Sequence, residues 1–343
     1  MLAFSVIVEF TRIMVYYKGK RLCKSLYFNV YFNVYFIESR INMDRAKELS
    51  SLIDKDRLYI DEPMKKHTTF RVGGPADYYA LPETYNELKG LVEYCRNTNL
   101  PYYVIGNGSN LLVGDKGFRG LIIQISKNMS DISVEGNTVR ACAGALLSKV
   151  ASVILQKELT GFEFAAGIPG TVGGAVRMNA GAYGGEIKDI IKSATVLDCE
   201  GDIITLSKEE LELSYRSSVI SRKEYIVLEA TFELKKGNRE DIKAVMDDLK
   251  ERRVSKQPLE FPSAGSTFKR PEGYFAGKLI EDAGLRGFMV GGAQVSKKHC
   301  GFVINKGDAT AKDIVDLIDE VTRIVKEDSG VTLEPEVRRI GEF

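Results

Sequence analysis

Tryptophan is absent from the 343 residues, and histidine is nearly absent, with only His67 and His299. Two histidines are too few for a histidine-based metal centre, and the motif H-E-x-x-H does not occur. An excess of one charge is also lacking, because 48 basic and 47 acidic residues leave a formal net charge of +1. Nucleic-acid-binding domains carry a basic surface, which this balance does not provide. We therefore expect neither a resident metal nor a nucleic-acid partner.

Cysteine is sparse and scattered. The five cysteines are Cys23, Cys95, Cys142, Cys199 and Cys300, and no C-x-x-C motif occurs. An odd number of cysteines without metal-ligand spacing is typical of free thiols in a reducing compartment. We therefore predict a cytoplasmic protein.

Long hydrophobic runs are missing as well. In the first 42 residues the longest uncharged run, Ser25 to Ile37, is shorter than the ~20 residues that span a bilayer. The pattern of a signal peptide is absent too, so we expect no stable membrane insertion. An aromatic tandem repeat covers residues 27–36 and sets this region apart from the rest of the chain. We interpret residues 1–42 as a non-native or disordered extension, with Met43 as a natural start.

What the chain has in quantity is glycine, concentrated in two stretches. Residues 167–184 contain six glycines and almost no charge, and residues 104–113 place Gly106-Asn107-Gly108-Ser109-Asn110 between two apolar runs. Glycine permits positive φ and close backbone approach, and exposed amides in such turns bind phosphate. Two interpretations are open at this point: a buried loop against a large phosphorylated cofactor, or tightly packed turns without a ligand.

The usual nucleotide-binding fingerprints do not account for these stretches. Leu111 occupies the third glycine position of G-x-G-x-x-G, and no G-x-x-x-x-G-K-[ST] occurs. A Rossmann site and a P-loop are therefore not supported.

Hydrophobic periodicity predicts alternating strands and helices. We expect helices over 44–53, 84–96, 145–159, 238–253, 274–283 and 310–330, with Glu87 completing a capping box at Thr84. We expect strands over 76–81, 101–105, 121–125, 137–143, 225–234, 301–305 and 331–340, and a hairpin over 194–206.

The two glycine-rich stretches resemble the FAD-binding domain of the flavoprotein superfamily that includes vanillyl-alcohol oxidase. More narrowly, they resemble the UDP-N-acetylenolpyruvoylglucosamine reductase family. Further matches follow in chain order from about His67 to the C-terminus: Thr69–Ala76, Tyr215–Ser218, Gly265–Lys269 and Leu333–Arg338.

The resemblance implies an α+β fold, made of this FAD-binding fold and a C-terminal α/β substrate domain. The implied domains are FAD-binding subdomain 1 over 43–118, completed by a final strand in 331–343, subdomain 2 over 119–245, and the substrate domain over 246–330. The 50 positions between Arg216 and Ser266 are few, and they match the family's second type, which lacks an extra tyrosine-bearing loop.

The resemblance also implies a reaction. NADPH reduces bound FAD, and the reduced flavin converts UDP-N-acetylglucosamine enolpyruvate to UDP-N-acetylmuramate, a step of peptidoglycan precursor synthesis. A monomer is expected. Two other hypotheses stay open: an FAD-dependent oxidase of a sugar alcohol or lactone in the same superfamily, and a non-enzymatic nucleotide-binding module. The absorbance of the flavin after NADPH, and then after substrate, separates the three.

The family's catalytic residues match three positions of this sequence. The resemblance makes Ser266 the proton donor to the substrate carbanion, Arg216 the stabiliser of the enolate, and Glu336 a partner at the substrate carboxylate. Read without the resemblance, these would be a turn serine, a surface arginine and a salt-bridged strand glutamate.

The remaining expected site residues bind FAD or substrate. The FAD residues are Arg71, Gly106, Asn107, Gly108, Ser109, Asn110, Gly167, Ile168, Gly170, Thr171, Gly173, Gly174, Ala180 and Gly181. Substrate is expected at Tyr215, Lys269 and Arg338, with Lys256, Lys269 and Arg338 as candidates for the diphosphate. One position departs from the family pattern, because Arg270 stands where the family usually has Asn.

Overall fold

The computed structural model describes residues 44–343, so the expected extension over 1–42 lies outside the described residues. Residues 49–343 group into one unit, to which the contacts below belong. Residues 44–49 are helical. Eight α-helices follow in the described part of the chain: α1 Tyr85–Asn97, α2 Leu147–Gln156, α3 Val172–Arg177, α4 Ile187–Ile190, α5 Val219–Lys223, α6 Arg239–Lys256, α7 Ala276–Asp282 and α8 Ala311–Ser329.

The described strands run along most of the chain. They are β1 Leu58–Pro63, β2 Pro75–Ala80, β3 Tyr102–Ile105, β4 Leu111–Val113, β5 Phe118–Gln124, β6 Ile132–Glu135, β7 Thr138–Cys142, β8 Leu159–Thr160, β9 Gly181–Ala182, β10 Gly185–Glu186, β11 Ile191–Leu197, β12 Ile203–Ser207, β13 Ile226–Glu233, β14 Lys235–Lys236, β15 Met289–Val290, β16 Ala293–Val295, β17 Val303–Asn305 and β18 Arg338–Ile340.

The first sheet has the order β1-β2-β5-β3, with β5 parallel to both β2 and β3. α1 connects β2 to β3 in a β-α-β unit, which confirms the predicted order of a strand over 76–81, a helix over 84–96 and a strand over 101–105. Thr84 caps α1 by accepting from Glu87 N at 3.1 Å. Only this half of the predicted capping box is complete, because the Glu87 carboxylate accepts from Glu83 N and also forms a two-bond ion pair with Arg57.

The second sheet is antiparallel throughout, with the order β12-β11-β13-β7-β6. The predicted hairpin is present as β11 and β12. Its turn is closed by Asp198, whose carboxylate accepts from Glu200 N and Asp202 N, and Gly201 supplies a φ of 92°. A positive φ at that position is what glycine permits without a steric cost.

The third group of elements consists of the sheet β15-β16-β17 and the helices α7 and α8. The predicted α8 is confirmed, with Thr310 and Asp313 forming a complete capping box and Gly330 ending the helix at a φ of 73°. Its apolar face supplies the core of this region: Ala311, Ile314, Leu317, Ile318, Val321 and Val325 are buried. The expected boundaries between the domains stay a prediction.

The C-terminal segment returns to the start of the fold. β18 pairs parallel with β4, but it spans only three residues where we predicted a strand over 331–340. Pro335 cannot donate a ladder hydrogen bond, and the segment before β18 is instead held by loop contacts such as Glu336 N to Thr267 O at 2.8 Å. The sequence prediction therefore identified the returning segment and overestimated its strand.

Asp115, which follows β4, caps α8 from a distant part of the chain. Its two carboxylate oxygens accept from Ala311 N at 2.7 Å and Lys312 N at 2.9 Å. A carboxylate at a helix N-terminus satisfies orphan amides and interacts favourably with the helix dipole.

We expect Asp115→Ala to lower the free energy of unfolding by about 1–2 kcal/mol, the usual value of such a cap. Urea denaturation followed by circular dichroism measures the change. Asp115→Asn keeps one acceptor oxygen and should lose about half as much. Wild-type stability in both variants would show that water replaces the cap without loss.

Candidate active site

Four cavities lie in a row within residues 49–343, and each shares wall residues with the next. The inner cavity (190 Å³) is lined by Gly106, Thr171 and Gly174 among others, and these three residues also line the loop cavity (140 Å³). The loop cavity shares Asn107, Ser109 and Asn110 with the central cavity (590 Å³). An outer cavity (390 Å³) shares Arg216, Ser266 and Glu336 with the central one. Together they form one long cleft.

The two glycine-rich stretches form facing walls of this cleft. Asn107 Nδ2 donates to Pro169 O at 2.8 Å and joins the two loops directly. Gly106 approaches the side chain of Thr171 so closely that a Cβ at residue 106 would lie 2.2 Å from Thr171 Oγ1. Close packing therefore explains this glycine, and part of the glycine content serves the contact between the loops.

Of the fourteen residues expected to bind the cofactor, only Gly167 lines none of the four cavities. The Gly167 carbonyl accepts instead from Arg253 Nη1, on α6. Arg253 itself lines the central cavity, and burial lowers the pKa of its guanidinium. The sequence predicts a helix over 238–253, and nothing in its pattern distinguishes Arg253 from the other cations of this helix.

The interpretation of 167–184 as a loop is partly wrong, because α3 occupies its centre. Val172 N and Gly173 N donate to Ala145 O and Ala143 O, both at 2.9 Å, and so hold the start of α3 against the chain beyond β7. Gly173 needs to be small there, since a Cβ would lie 3.0 Å from the Ala143 Cβ. Gly174 is different: a Cβ there would meet nothing closer than Thr171 Oγ1 at 3.8 Å, and the residue faces the inner and loop cavities.

The cleft has features of a built binding site for a large polar cofactor. One buried polar atom on the wall of the central cavity, Thr69 Oγ1, does not have a hydrogen-bond partner among the described residues. Leaving such an atom unpaired costs free energy, so a ligand that bonds it is favoured. The row of cavities and the glycine-lined walls therefore fit a dinucleotide such as FAD.

Arg216 is presented to the cleft by a tight turn. Ser214 and Ser217 exchange two backbone hydrogen bonds of 3.0 and 3.1 Å, which leaves Tyr215 and Arg216 at the tip. Arg216 has a φ of 55°, a left-handed conformation that is uncommon for a residue with a side chain. Such local strain is concentrated at functional sites.

Ser266 and Glu336 lie on two neighbouring segments that pair briefly. Glu336 N donates to Thr267 O, and Lys269 N donates to Glu334 O, both at 2.8 Å. Thr267 is 1% exposed, and its Oγ1 accepts from Val303 N at 2.8 Å, which anchors the Ser266 loop on β17. The sequence placed these residues about 70 positions apart, and the pairing brings them to one wall.

Arg216, Ser266 and Glu336 are the three residues that line both the central and the outer cavity. Arg216 Nε lies 2.8 Å from Glu336 Oε1, although the N–H does not point along a hydrogen bond. Burial raises the pKa of Glu336, while the charges of Arg216 and Lys269 lower it, and the net shift is upward. The junction therefore combines a fixed cation, a hydroxyl and a carboxyl group that retains its proton more readily than usual.

The expected substrate residues do not all lie on the outer cavity. Tyr215 lines it, and the Tyr215 hydroxyl accepts from Arg270 N at 2.9 Å. Lys269 lines none of the four cavities and is paired with Glu334. Arg338 lines the loop cavity beside Gly106–Asn110, because β18 pairs with β4 directly after that loop. Lys256 lines none of the cavities either.

Comparison with known proteins agrees with this geometry. A family model described as "FAD binding domain" matches residues 76–207, and one described as "UDP-N-acetylenolpyruvoylglucosamine reductase, C-terminal domain" matches 257–340. A UDP-N-acetylenolpyruvoylglucosamine reductase of Lachnoclostridium phytofermentans is 59% identical over 86% of this chain and 97% of its own length. That of Clostridium novyi is 56% identical over 88% of this chain and 98% of its own.

The chain belongs to the UDP-N-acetylenolpyruvoylglucosamine reductase family. A crystal structure of the reductase of Thermus caldophilus resembles it with a TM-score of 0.70 and 36% identity, over 82% of this chain and 97% of that one. The family membership, the FAD-binding fold and the assignment as an FAD-dependent oxidoreductase are thus confirmed.

Among residues 44–343, no group of three histidine, cysteine or carboxylate side chains is arranged to hold a metal ion. None of the helices in the same range is both long and apolar enough to cross a membrane.

Proposed function

We propose that the protein reduces UDP-N-acetylglucosamine enolpyruvate to UDP-N-acetylmuramate with NADPH, as a step of peptidoglycan precursor synthesis. The observation that carries this proposal is the meeting of the central and outer cavities at Arg216, Ser266 and Glu336. A substrate entering from the outer cavity would reach a flavin in the central cavity at the place where these side chains lie. UDP-sugars and NADPH are both cytoplasmic metabolites, which favours a cytoplasmic enzyme.

The inner, loop and central cavities are the proposed FAD site. The loops Gly106–Asn110 and Gly170–Gly174 would hold the diphosphate of FAD, since their backbones line the narrow middle of the cleft. Arg338 lies on the same wall, so we reassign it from the substrate to the cofactor. Bound FAD, once NADPH has reduced it, would supply the hydride for the terminal vinyl carbon of the substrate.

The three junction residues then have separate tasks. Arg216 carries a planar cation suited to the substrate carboxylate, where negative charge builds up in the enolate. Glu336 can share its proton with that carboxylate, because its pKa is raised by burial. Ser266 gives a proton to the carbon beside the carboxylate, which completes the addition of hydride and proton across the double bond.

The outer cavity is the proposed site of the UDP group. Besides Arg216, four cationic side chains line it, namely Arg270, Lys278, Arg286 and Lys298. Lys278 and Arg286 are neutralised by Asp282 and Glu281. Arg270 does not have a carboxylate partner among residues 44–343, and its guanidinium stacks 4.0 Å from the centre of the Phe275 ring. Lys298 does not have a carboxylate partner in that range either, but its amine donates to Val254 O at 2.7 Å. Arg270 is therefore the strongest candidate for the diphosphate, in place of Lys256 and Lys269.

The experiment that tests the function follows the yellow absorbance of the purified holoenzyme without oxygen. NADPH should bleach the flavin, and UDP-N-acetylglucosamine enolpyruvate should restore the colour with formation of UDP-N-acetylmuramate. Bleaching by a sugar alcohol or lactone, with no response to NADPH, would instead identify an oxidase. Bound flavin that responds to neither reagent would identify a non-enzymatic binding module.

A further inference from the structure

Asn179 lies directly behind the turn that carries Arg216, although it lines none of the four cavities. It follows α3 in the glycine-rich stretch and is 1% exposed. A side-chain amide buried to this degree needs partners for two N–H donors and a carbonyl acceptor.

All three positions of the Asn179 amide are used. Nδ2 donates to Ser214 O at 3.1 Å and to the carboxylate of Glu186 at 2.8 Å. Oδ1 accepts from Lys188 N at 2.9 Å. Since the NH₂ group has two hydrogens, one for each acceptor, no other side chain of similar size provides the same set of bonds. The amide therefore connects the base of the Arg216 turn to the start of α4.

The other end of the turn is held in a similar way. Ser218, which follows the turn, donates its hydroxyl to Arg177 O at 2.5 Å. Both attachment points, Arg177 and Asn179, belong to the short segment that leaves α3. The turn itself contains the strained φ of Arg216, and a strained conformation persists only where its surroundings hold it.

We propose that Asn179 is a positioning residue, which fixes the turn so that the Arg216 guanidinium lies against Glu336 and Ser266. The proposal rests on the catalytic role of Arg216 given above. It goes further by assigning the geometry of that cation to a buried amide outside the cavities. The alternative role, which the experiments below distinguish, is that the amide only stabilises β9, β10 and α4, where Glu186 and Lys188 lie.

The backbone of Asn179 offers a way to separate the amide from the chain conformation. Its φ is 44°, a left-handed value that asparagine and glycine tolerate better than other residues. Asn179→Gly removes the three hydrogen bonds and keeps this conformation accessible. Asn179→Asp keeps the shape but turns a donor into an acceptor facing both Ser214 O and the Glu186 carboxylate.

The first measurement does not depend on turnover. Arg216 is about one-fifth exposed, so phenylglyoxal should modify it slowly in the holoenzyme. In Asn179→Gly and Asn179→Asp we expect several-fold faster modification of Arg216, quantified by mass spectrometry of its peptide. FAD content should remain at the wild-type level. Unchanged modification of Arg216 in both variants would overturn the proposal, whatever reaction the enzyme catalyses.

The second measurement separates the half-reactions in stopped-flow absorbance. We expect flavin reduction by NADPH at a near-normal rate, and re-oxidation by substrate slowed by about 10–100-fold, as for a catalytic group displaced by about 1 Å. The pH at which the re-oxidation rate changes should also rise. Its cause is the pKa of Glu336, which would lose the lowering effect of Arg216 while Lys269 stays in place. Equal slowing of both half-reactions without a pH shift would assign the amide to stability alone.

Asn305 provides a matched control. It is also a buried asparagine whose side chain makes three hydrogen bonds. Its Nδ2 donates to Phe70 O, and its Oδ1 accepts from Gly307 N and Ala309 N. Asn305→Ala should lower stability without changing the modification rate of Arg216. Faster modification of Arg216 in this control as well would trace the effect to general loosening and would contradict a specific role for Asn179.

Discussion

Ser266→Ala should leave reduction of the flavin by NADPH at close to its normal rate and slow re-oxidation by substrate by about 10²–10⁴-fold, the usual contribution of a positioned general acid. This loss corresponds to about 3–5 kcal/mol of activation free energy. Only the second half-reaction requires a proton on the substrate carbon. Stopped-flow absorbance of the holoenzyme measures the two halves separately.

The Ser266→Ala variant should remove the hydroxyl without moving the loop. Thr267 fixes the loop, because its backbone N–H donates to Gly301 O and its Oγ1 accepts from Val303 N. Neither bond involves the Ser266 side chain. The backbone should therefore keep its position when the hydroxyl is removed. Ser263→Ala is the control variant, because it removes a hydroxyl from another serine that lines the central cavity. A similar loss in that variant would attribute the effect to cavity polarity, and near-normal re-oxidation in Ser266→Ala would mean that another group donates the proton.

Local sequence patterns predicted the regular elements well. The periodicity of α8, its cap at Thr310 and its end at Gly330 all depend on residues close together in the chain. The same holds for the cap at Thr84 and for the glycine in the β11–β12 turn. Each of these features is decided within a few residues, so a pattern in one sequence is sufficient to predict it.

Predictions failed where a distant residue competes for a local partner. Glu87 has the spacing of a capping-box residue, but Arg57 offers its carboxylate a two-bond ion pair in the fold. The same pairing keeps the pKa of Glu87 low. The expected strand over 331–340 was shortened for a related reason, since the Ser266 loop takes the hydrogen bonds of the segment around Glu336. Tertiary contacts of this kind leave no periodic signal in the sequence.

The candidate site was predictable in its residue types and not in its assembly. Arg216, Ser266 and Glu336 were named from their family motifs, but composition and spacing alone left each with an ordinary structural explanation. Their convergence depends on the return of β18 to β4 and on the turn behind Asn179. Arg253 and Asn179 were missed as site-forming residues, because a charged helix and a glycine-rich stretch carry no mark of which side chain faces inward.

The glycines of the cleft are not equivalent, and this decides which variant tests FAD binding. A Cβ at Gly108 would lie 2.0 Å from His67 O, and the φ of Gly108 is +61°. A branched residue at this position would therefore disrupt the loop itself. Gly173 is confined by Ala143. Colourless protein from either variant would follow from a damaged loop as readily as from a blocked site. Gly174 is the better choice, because a side chain there would extend into the cavities and meet no protein atom closely.

We expect Gly174→Val to give folded protein with a lowered affinity for FAD. The valine side chain would occupy space shared by the inner and loop cavities, and overpacking of this kind costs about 1–3 kcal/mol, which weakens FAD binding by about 10–100-fold. The apoprotein should not be destabilised, since valine suits a helix slightly better than glycine does. Gly90→Val on α1 is the control: a Cβ there meets only Leu52 Cδ2, at 3.8 Å, and Gly90 lines none of the four cavities. Titration of both apoproteins with FAD, together with their thermal unfolding, measures the outcome. An unchanged affinity for FAD in Gly174→Val, with normal folding, would remove the inner and loop cavities from the FAD site.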